Sequence, residues 1–480
     1  MKKNVKFLFF LSILIFFSCQ KTQNEVNKER NTNSAIDLAL ASSVVSAANS
    51  LNALENCSGC HSETSSTGKK IQWAQEGWEE SVHKNGYKAP MYAKTGTAGN
   101  ASDWTVVGYE WHGSDAFYSN GGGCQRCHTH EGFREFVGTY ALNAANYDAS
   151  IGTSAVKWPS NIGCFTCHGP HENGSFKTIV ANGTKIVTNI GTTYSKAKGN
   201  LCASCHQVRG PSSGQTVEAY ILASVQGSGA GLRTTAHHGP QADMLMGKGG
   251  AEYPGYSYSN SAHTNQDNAN CVTCHQVYDS DASTATRYGL SAGVGGHSFA
   301  VTGIVHEVPT AIEIGCKTSG CHTSPSAKKA TADNGYIRKG DAYIDQDTTI
   351  VTDYFATLNT ALVALANPDT NCTCLLSEVL AVIAAANGKT YTLKWETFAD
   401  GTTVVPRCSV SSLSSISNPS ANADSNEMKF ARAYWNFMFV LEDKSFGVHN
   451  TRYATQLLVD SCAELKKVAT ASVITCPSRP

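Results

Sequence analysis

The sequence predicts a mostly irregular chain, loop with short α-helices and few short β-strands, that becomes more helical towards its C-terminus. Three observations predict it. Residues 51 to 330 are rich in Gly, Ser, Thr, Asn and Tyr and show no sustained helical or strand period between six short cysteine motifs. Charged residues make up only 16% of the 480, below the ~25% of an average globular protein. From residue 331 onward apolar side chains recur at helical spacing instead. Lys plus Arg number 37 and Asp plus Glu 38, and this near-neutral balance argues against a nucleic-acid surface.

The N-terminus carries Lys2 and Lys3 ahead of an apolar run from Phe7 to Phe17 broken only by Ser12. Eleven residues are too few to cross ~30 Å of hydrocarbon as a helix, so residues 1–18 read as a signal peptide. Cys19 stands where a lipoprotein signal is cleaved, and residues 19–50 read as a lipidated N-terminus with a flexible tether. A plain cleaved signal is the alternative. Both predict an exported chain, either an outer-membrane lipoprotein or a protein of the cell surface. Outside the cytoplasm paired thiols ordinarily oxidise, so the spacing of the 18 cysteines needs its own explanation.

Six motifs supply it. Cys57/Cys60/His61, Cys124/Cys127/His128, Cys164/Cys167/His168, Cys202/Cys205/His206 and Cys271/Cys274/His275 are Cys-x-x-Cys-His, and Cys316/Cys321/His322 is a stretched form with four residues between the thiols. Two thiols at this spacing add to the two vinyl groups of one haem, and the next residue turns its imidazole onto the iron. Zinc ribbons space paired thiols more closely and do not require the following His, and a thioredoxin-like site needs one such motif. Six covalently attached haem c groups are therefore expected in a cytochrome domain spanning 51–330. Their porphyrin faces supply apolar surface that a loop-rich chain lacks.

Sixteen histidines less the six of the motifs leaves ten as candidates for the other side of the irons. Sequence context favours His83, His171, His263, His297, His449 and either His237 or His238. His83 ends a short helix, and His263 and His297 sit beside small residues that let backbone approach a porphyrin. His171 lies too near His168 to serve the same haem and reaches a neighbour. His112, His130 and His306 are assigned to haem propionates or the surface. Met244 and Met246 are expected to pack rather than ligate. Bis-His ligation implies low potentials.

Lys185 to Thr188 is expected to form a hairpin with residues 176–180 across Asn182-Gly183. In the C-terminal region, 331–480, helices are expected over 353–366 and 375–386, with a strand through Tyr391, Leu393 and Trp395. A third helix opens on a capping box of Asp424 and Glu427 and runs towards Gly447. Phe430, Tyr434, Phe437, Met438 and Leu441 form its core stripe, and the helix delivers His449 to the haem array. Cys462 with Cys476, and Cys408 with Cys372 or Cys374, are the disulfides expected first.

The strings Gly122-Gly-Cys-Gln-Arg-Cys-His-Thr-His-Glu-Gly-Phe133, Gly199-Asn-Leu-Cys-Ala-Ser-Cys-His-Gln-Val-Arg209, His237-His-Gly-Pro-Gln241, Gly295-Gly-His-Ser-Phe299 and Asp443-Lys-Ser-Phe-Gly-Val-His-Asn450 resemble bacterial multihaem c-type cytochromes that pass electrons across or outside the envelope. The resemblance implies an electron-transfer protein, not an enzyme, whose partners are other redox proteins or extracellular electron acceptors, with the membrane reached through the lipid anchor. Some relatives polymerise into filaments, so a homopolymer is one alternative. A reductase of nitrite or hydroxylamine with one open haem is another, though the Cys-x-x-Cys-Lys motif frequent at such haems does not occur here.

Overall fold

The computed structural model describes residues 162–169, 178–180, 185–211, 214–227, 236, 239–276, 295–305, 308–311, 360–366, 374–389, 393–399, 404–410, 416–445 and 447–479, with single positions and short runs between 74 and 137 and at 357–358. The chain divides into two compact units. The first comprises Met1–Gln75, His83–Thr166 and Pro170–Ser175, and the second Glu76–Val82, Cys167–Gly169 and Phe176–Pro480.

In the first unit β1 (Tyr92–Lys94) pairs antiparallel with β2 (Trp104–Val106). Phe133 and Phe136 are buried, their ring centroids 6.4 Å apart. The short helix α1 (Cys164–Cys167) carries a pair of motif cysteines, and the chain passes from one unit to the other within it.

The second unit is built from short pieces. Strand β3 (Ile186–Val187) pairs with β4 (Thr193–Tyr194), not with residues 176–180 as the Asn182-Gly183 signal suggested. The turn that wins is the one through Gly191, whose φ of 80° closes Thr188 onto Thr192. Segment 178–180 instead bridges His168 through Thr178. Helix α2 (Asn200–Ala203) holds the next motif. Helix α3 (Val217–Gln226) starts at Thr216, whose side chain accepts the Ala219 N–H. Helix α4 (Gln241–Leu245) and α5 (Ala262–Asn265) follow. Asn270 caps α6 (Cys271–His275) through the Thr273 N–H. Strands β5 (Thr302–Val305) and β6 (Val308–Ala311) form a hairpin, as do β7 (Leu393–Ala399) and β8 (Val404–Val410).

The C-terminal helices are longer. Residues 360–366 are helical, and α7 covers Leu375–Ala386, the span read from the sequence. Helix α8 (Asn426–Asp443) begins one residue later than the capping box implied. Ser425 is the cap, accepting from Met428 N, while Glu427 accepts from Asn418 Nδ2. It ends at Lys444 in the left-handed region, short of Gly447. Helix α9 (Thr451–Lys466) follows, capped by Asn450. Cys462 and Cys476 form a disulfide. Cys374 is buried, while the side chains of Cys372 and Cys408 lie outside the described residues.

Helix α8 is buried nearly all round, so its polar residues need partners. Arg432 makes a bidentate pair with Glu218 of α3, its Nε at 2.9 Å, and donates to Ala423 O. Asn436 exchanges two hydrogen bonds with Ala251 and donates to Ser461 Oγ. Trp435 Nε1 donates to Gly249 O. One apolar core thus runs from Val208 and Ile221 through Met244 to Phe437, Leu457 and Leu465. The expectation that porphyrin faces supply the apolar surface a loop-rich chain lacks did not anticipate this protein core. No described helix is long and apolar enough to cross a membrane.

Candidate functional site

Three of the six motifs fall among the described residues in full: those ending at His168, His206 and His275. Cys127 of the second motif is also described, whereas Cys57, Cys60, His61, Cys124, His128, Cys316, Cys321 and His322 lie outside the described residues, as do His171, His237 and His238.

The motif spacing folds locally as one helical turn. Cys205 N and His206 N both donate to Cys202 O, at 3.1 and 2.9 Å, which places both thiols and the imidazole on one short element. In the same way Cys274 N donates to Asn270 O at 3.3 Å, and α6 carries Cys271, Cys274 and His275 together. Two motifs far apart in sequence then meet: the Cys202 and Cys271 thiols hydrogen bond to one another. This contact joins the first thiols of the two motifs. The second thiols, Cys205 and Cys274, are half-buried, and neither is taken up in a disulfide, so no Cys-x-x-Cys bridge closes either motif. Among the described residues no group of three or more His, Cys, Asp or Glu is placed to hold a metal ion directly, and Cys205 and Cys274 accordingly belong to no such cluster.

Tyr194, fully buried, directs its hydroxyl to Cys271 Sγ at 3.4 Å. Gly199 passes between them, and a Cβ there would stand 2.6 Å from the Tyr194 hydroxyl and 3.3 Å from Cys271 Sγ. The hydrogen bond with Cys202, first, and that with Tyr194 draw the Cys271 thiol down to about 6 against its burial.

Two of the described motif histidines face another histidine. The rings of His275 and His449 have centroids 6.3 Å apart, and those of His168 and His297 6.1 Å. With metal–nitrogen bonds of about 2 Å and a ring nitrogen about 1 Å from its ring centre, two imidazoles sharing one iron stand roughly 6 Å apart. The residues present therefore fit a bis-His haem at each pair.

Hydrogen bonds set which ring nitrogen is available. His275 Nδ1 donates to Phe299 O at 2.8 Å and His263 Nδ1 to Val448 O at 2.8 Å. His449 Nδ1 donates to Asp443 Oδ1 at 2.7 Å. His206 Nδ1 meets Gln241 Oε1 at 2.9 Å, and the amide is oriented because its Nε2 donates to Glu442 O and Asp443 O. In each ring Nδ1 carries the proton, so the lone pair is on Nε2, the arrangement that metal-binding imidazoles adopt. His130, assigned by sequence to a propionate or the surface, has Nδ1 2.9 Å from Thr166 Oγ1 inside the third motif. His83 lies in a helical turn and is half-buried.

Burial, then the neighbouring His449, pulls His275 down to about 4; burial, then His168, does the same to His297. Both imidazoles are therefore neutral at pH 7. Burial also lowers His449, but Asp443 outweighs it and the net direction is up. Met244 packs in the apolar core.

The turn that presents His297 is conformationally costly. Gly295 has φ 71° and ψ −174°, Gly296 φ 51° and Phe299 φ 58°. This one turn faces His297 to His168 and offers the Phe299 carbonyl to His275. Sequence reasoning found the histidines but not their acceptors Gln241, Phe299, Val448 and Asp443. Three of the strings quoted for the family resemblance, 237–241, 295–299 and 443–450, contain all four, which was the only available signal.

These motifs and paired imidazoles are those of a class, the multihaem c-type cytochromes, and comparison with known proteins supports the same class. A family model described as outer membrane cytochrome MtrC/MtrF-like, domains II/IV, matches residues 41–218. Among curated proteins the chain is similar to the C-type polyheme cytochrome OmcB of Geobacter sulfurreducens, 25% identical over 269 residues, 46% of this chain and 34% of the relative. It is likewise similar to the C-type polyheme cytochrome OmcC of the same organism, 26% identical over 252 residues, 43% of this chain and 31% of that one. The matches span about a third of the length of these relatives. No solved structure matches.

Proposed function

We propose that the protein is an exported hexahaem electron carrier of the outer membrane or cell surface, tethered through a lipidated Cys19, that passes electrons between redox partners or to an extracellular acceptor. The observation that carries this reading is the pairing of His275 with His449 and His168 with His297 at 6.3 and 6.1 Å, which leaves no open side at either iron. Bound haem supplies a one-electron Fe(III)/Fe(II) couple. The chain's own residues do the rest. Motif thiols, Cys205 and Cys274 among them, anchor each group, Nδ1 acceptors hold each imidazole in orientation, and buried side chains exclude water. The meeting of Cys202 with Cys271 brings two attachment points within contact, a geometry suited to electron hopping. The relatives' printed names, polyheme cytochromes, and the outer-membrane description of the family model support the same reading.

The test is a haem count on the purified holoprotein together with electron paramagnetic resonance of its oxidised form. Six covalent haems, all low-spin, are expected. A high-spin centre that responds to nitrite or hydroxylamine would overturn the carrier reading in favour of a reductase.

A further inference from the structure

We infer that Asp443 sets the His275/His449 site at a lower reduction potential than the neighbouring His206 site, whose imidazole is oriented by Gln241 on the Asp443 backbone carbonyl. The inference rests on the haem-ligand reading above. Its basis is the end of α8. His449 Nδ1 donates to Asp443 Oδ1 at 2.7 Å, and the Asp443 side chain is fully buried. Asp443 Oδ2 accepts from Ser445 Oγ, and Ser445 Oγ in turn accepts from His449 N at 3.1 Å. The Asp443 carbonyl accepts from Gln241 Nε2 at 3.1 Å, and Gln241 Oε1 accepts from His206 Nδ1 at 2.9 Å. The two arms therefore meet at Asp443, the His206–Gln241 arm on its backbone carbonyl and His449 on its carboxylate.

Its two ends differ in charge. A carboxylate facing Nδ1–H raises the basicity of the ligating nitrogen and favours the ferric state, and in a buried site its charge is weakly screened. The acceptor at His206 is a neutral amide. Those at His275, His263 and His130 are the neutral Phe299 O, Val448 O and Thr166 Oγ1. Asp443 thus distinguishes one site from its neighbour, and the Cys202–Cys271 contact makes them neighbours. With haem bound at both sites, the Asp443 charge would make passage of an electron from the ferrous His275/His449 site to a ferric His206 site the downhill direction, with no proton or ligand exchanged. Asp443 and Gln241 are positioning residues in this step.

The experiment is a spectroelectrochemical titration of the full-length holoprotein carrying Asp443→Asn, which keeps the size and the acceptor oxygen but removes the charge. One potential is expected to rise, shifting the ferrous-to-ferric ratio of that haem at least about tenfold at fixed applied potential, about 59 mV for one electron. The paramagnetic resonance spectrum should stay entirely low-spin. Ser445→Ala removes a donor from the carboxylate and is expected to shift the same potential downward, which keeps the test open if the first variant does not fold. Unchanged potentials, or shifts of the same sign in both variants, overturn the inference. A high-spin signal in Asp443→Asn also overturns it, since Asp443 would then only brace His449. The ligand reading fails separately: His449→Ala with an undiminished low-spin count shows that His449 is no ligand.

Discussion

Gly295 tests whether the His297 turn is under the strain that its backbone implies. At φ 71° and ψ −174° it occupies a region essentially closed to residues with a Cβ, and an alanine there costs about 1–3 kcal/mol. The turn cannot relax locally, because Gly295 N donates to Ala300 O at 2.7 Å and Ser298 Oγ donates back to Gly295 O at 2.6 Å. The strain is therefore relieved by withdrawing His297 from its place 6.1 Å from His168. By linkage, an exogenous ligand competing with His297 gains apparent affinity by the factor the closed state loses, roughly 5- to 150-fold for 1–3 kcal/mol. The assay is carbon monoxide titration of the reduced protein, read in the Soret band. Gly295→Ala is expected to show one haem binding carbon monoxide more tightly within this range. Gly255→Ala is the control: φ is 83° but nothing lies within 4 Å of the added Cβ, so it strains the chain by about 1–2 kcal/mol away from any histidine pair. Carbon monoxide affinity in Gly295→Ala equal to wild type, or raised equally in Gly255→Ala, would refute the reasoning.

Three further outcomes are expected. His449→Ala should convert one haem from low-spin to high-spin, seen in the paramagnetic resonance spectrum at g values of an axial ferric centre; no new high-spin signal would contradict the pairing with His275. Asn436→Leu leaves the Ala251 N–H and C=O buried without partners at ~1–3 kcal/mol each, so urea unfolding followed by circular dichroism should show a loss of about 4 kcal/mol, and a loss under about 1 kcal/mol would count against it. Burial, against hydrogen bonds from Val208, Thr188 and Thr192, raises Asp243 from 3.8 to about 6. The folded state then holds this proton more tightly than the unfolded state. The stabilisation is present below pH ~4 and is lost as pH rises through ~6, about 3 kcal/mol in all. Asp243→Asn should flatten that part of the stability–pH curve, and a curve of unchanged slope would remove Asp243 as its source.

The candidate histidines were legible because the residue type is scarce here, and spacing marked the motif members outright. The pairing of the imidazoles was not legible. It depends on where loops far apart in sequence, such as 295–300 and 443–449, are carried by the core, and no local period records that. The same holds for the thiols: spacing does not record that α2 and α6 approach one another and bring Cys202 to Cys271. Helix α7 was legible end to end because its apolar face ends at Asn387-Gly388. The start of α8 was misplaced by one residue because Asp424 and Ser425 are both good caps, and only the tertiary pull of Asn418 on Glu427 decides between them. The β3 pairing was misread because an Asn-Gly signal outweighed a less conspicuous turn at Gly191, whose register is held by Gly214 N donating to Asn189 O and Asn189 N donating to Gln207 Oε1.

Short elements joined by loops, as in residues 185–276, hold their imidazoles in fixed orientation only if something anchors the loops. The C-terminal helices solve this with buried polar side chains that reach backbone atoms of the cytochrome loops. Asn450, fully buried, accepts from Ser261 N at 2.9 Å and donates to Asn260 Oδ1 and Thr264 Oγ1, while also capping α9. Gln456 accepts from Ser259 N, Asn436 grips Ala251 and Trp435 grips Gly249. Lys196, buried, ties the His263 and Gln266 carbonyls from the other side. Because each of these groups would be costly to bury unpaired, displacing one loop leaves several orphans at once, and the loops hold one register. Apolar packing alone would hold α8 and α9 together but would leave the segments bearing His263 and His206 free to slide along them. The low charged fraction of the sequence and the dense polar interior are thus two sides of one architecture: hydrogen-bonding side chains are placed where they fix the imidazole-bearing loops, and the apolar core supplies the rigid body they fix them to.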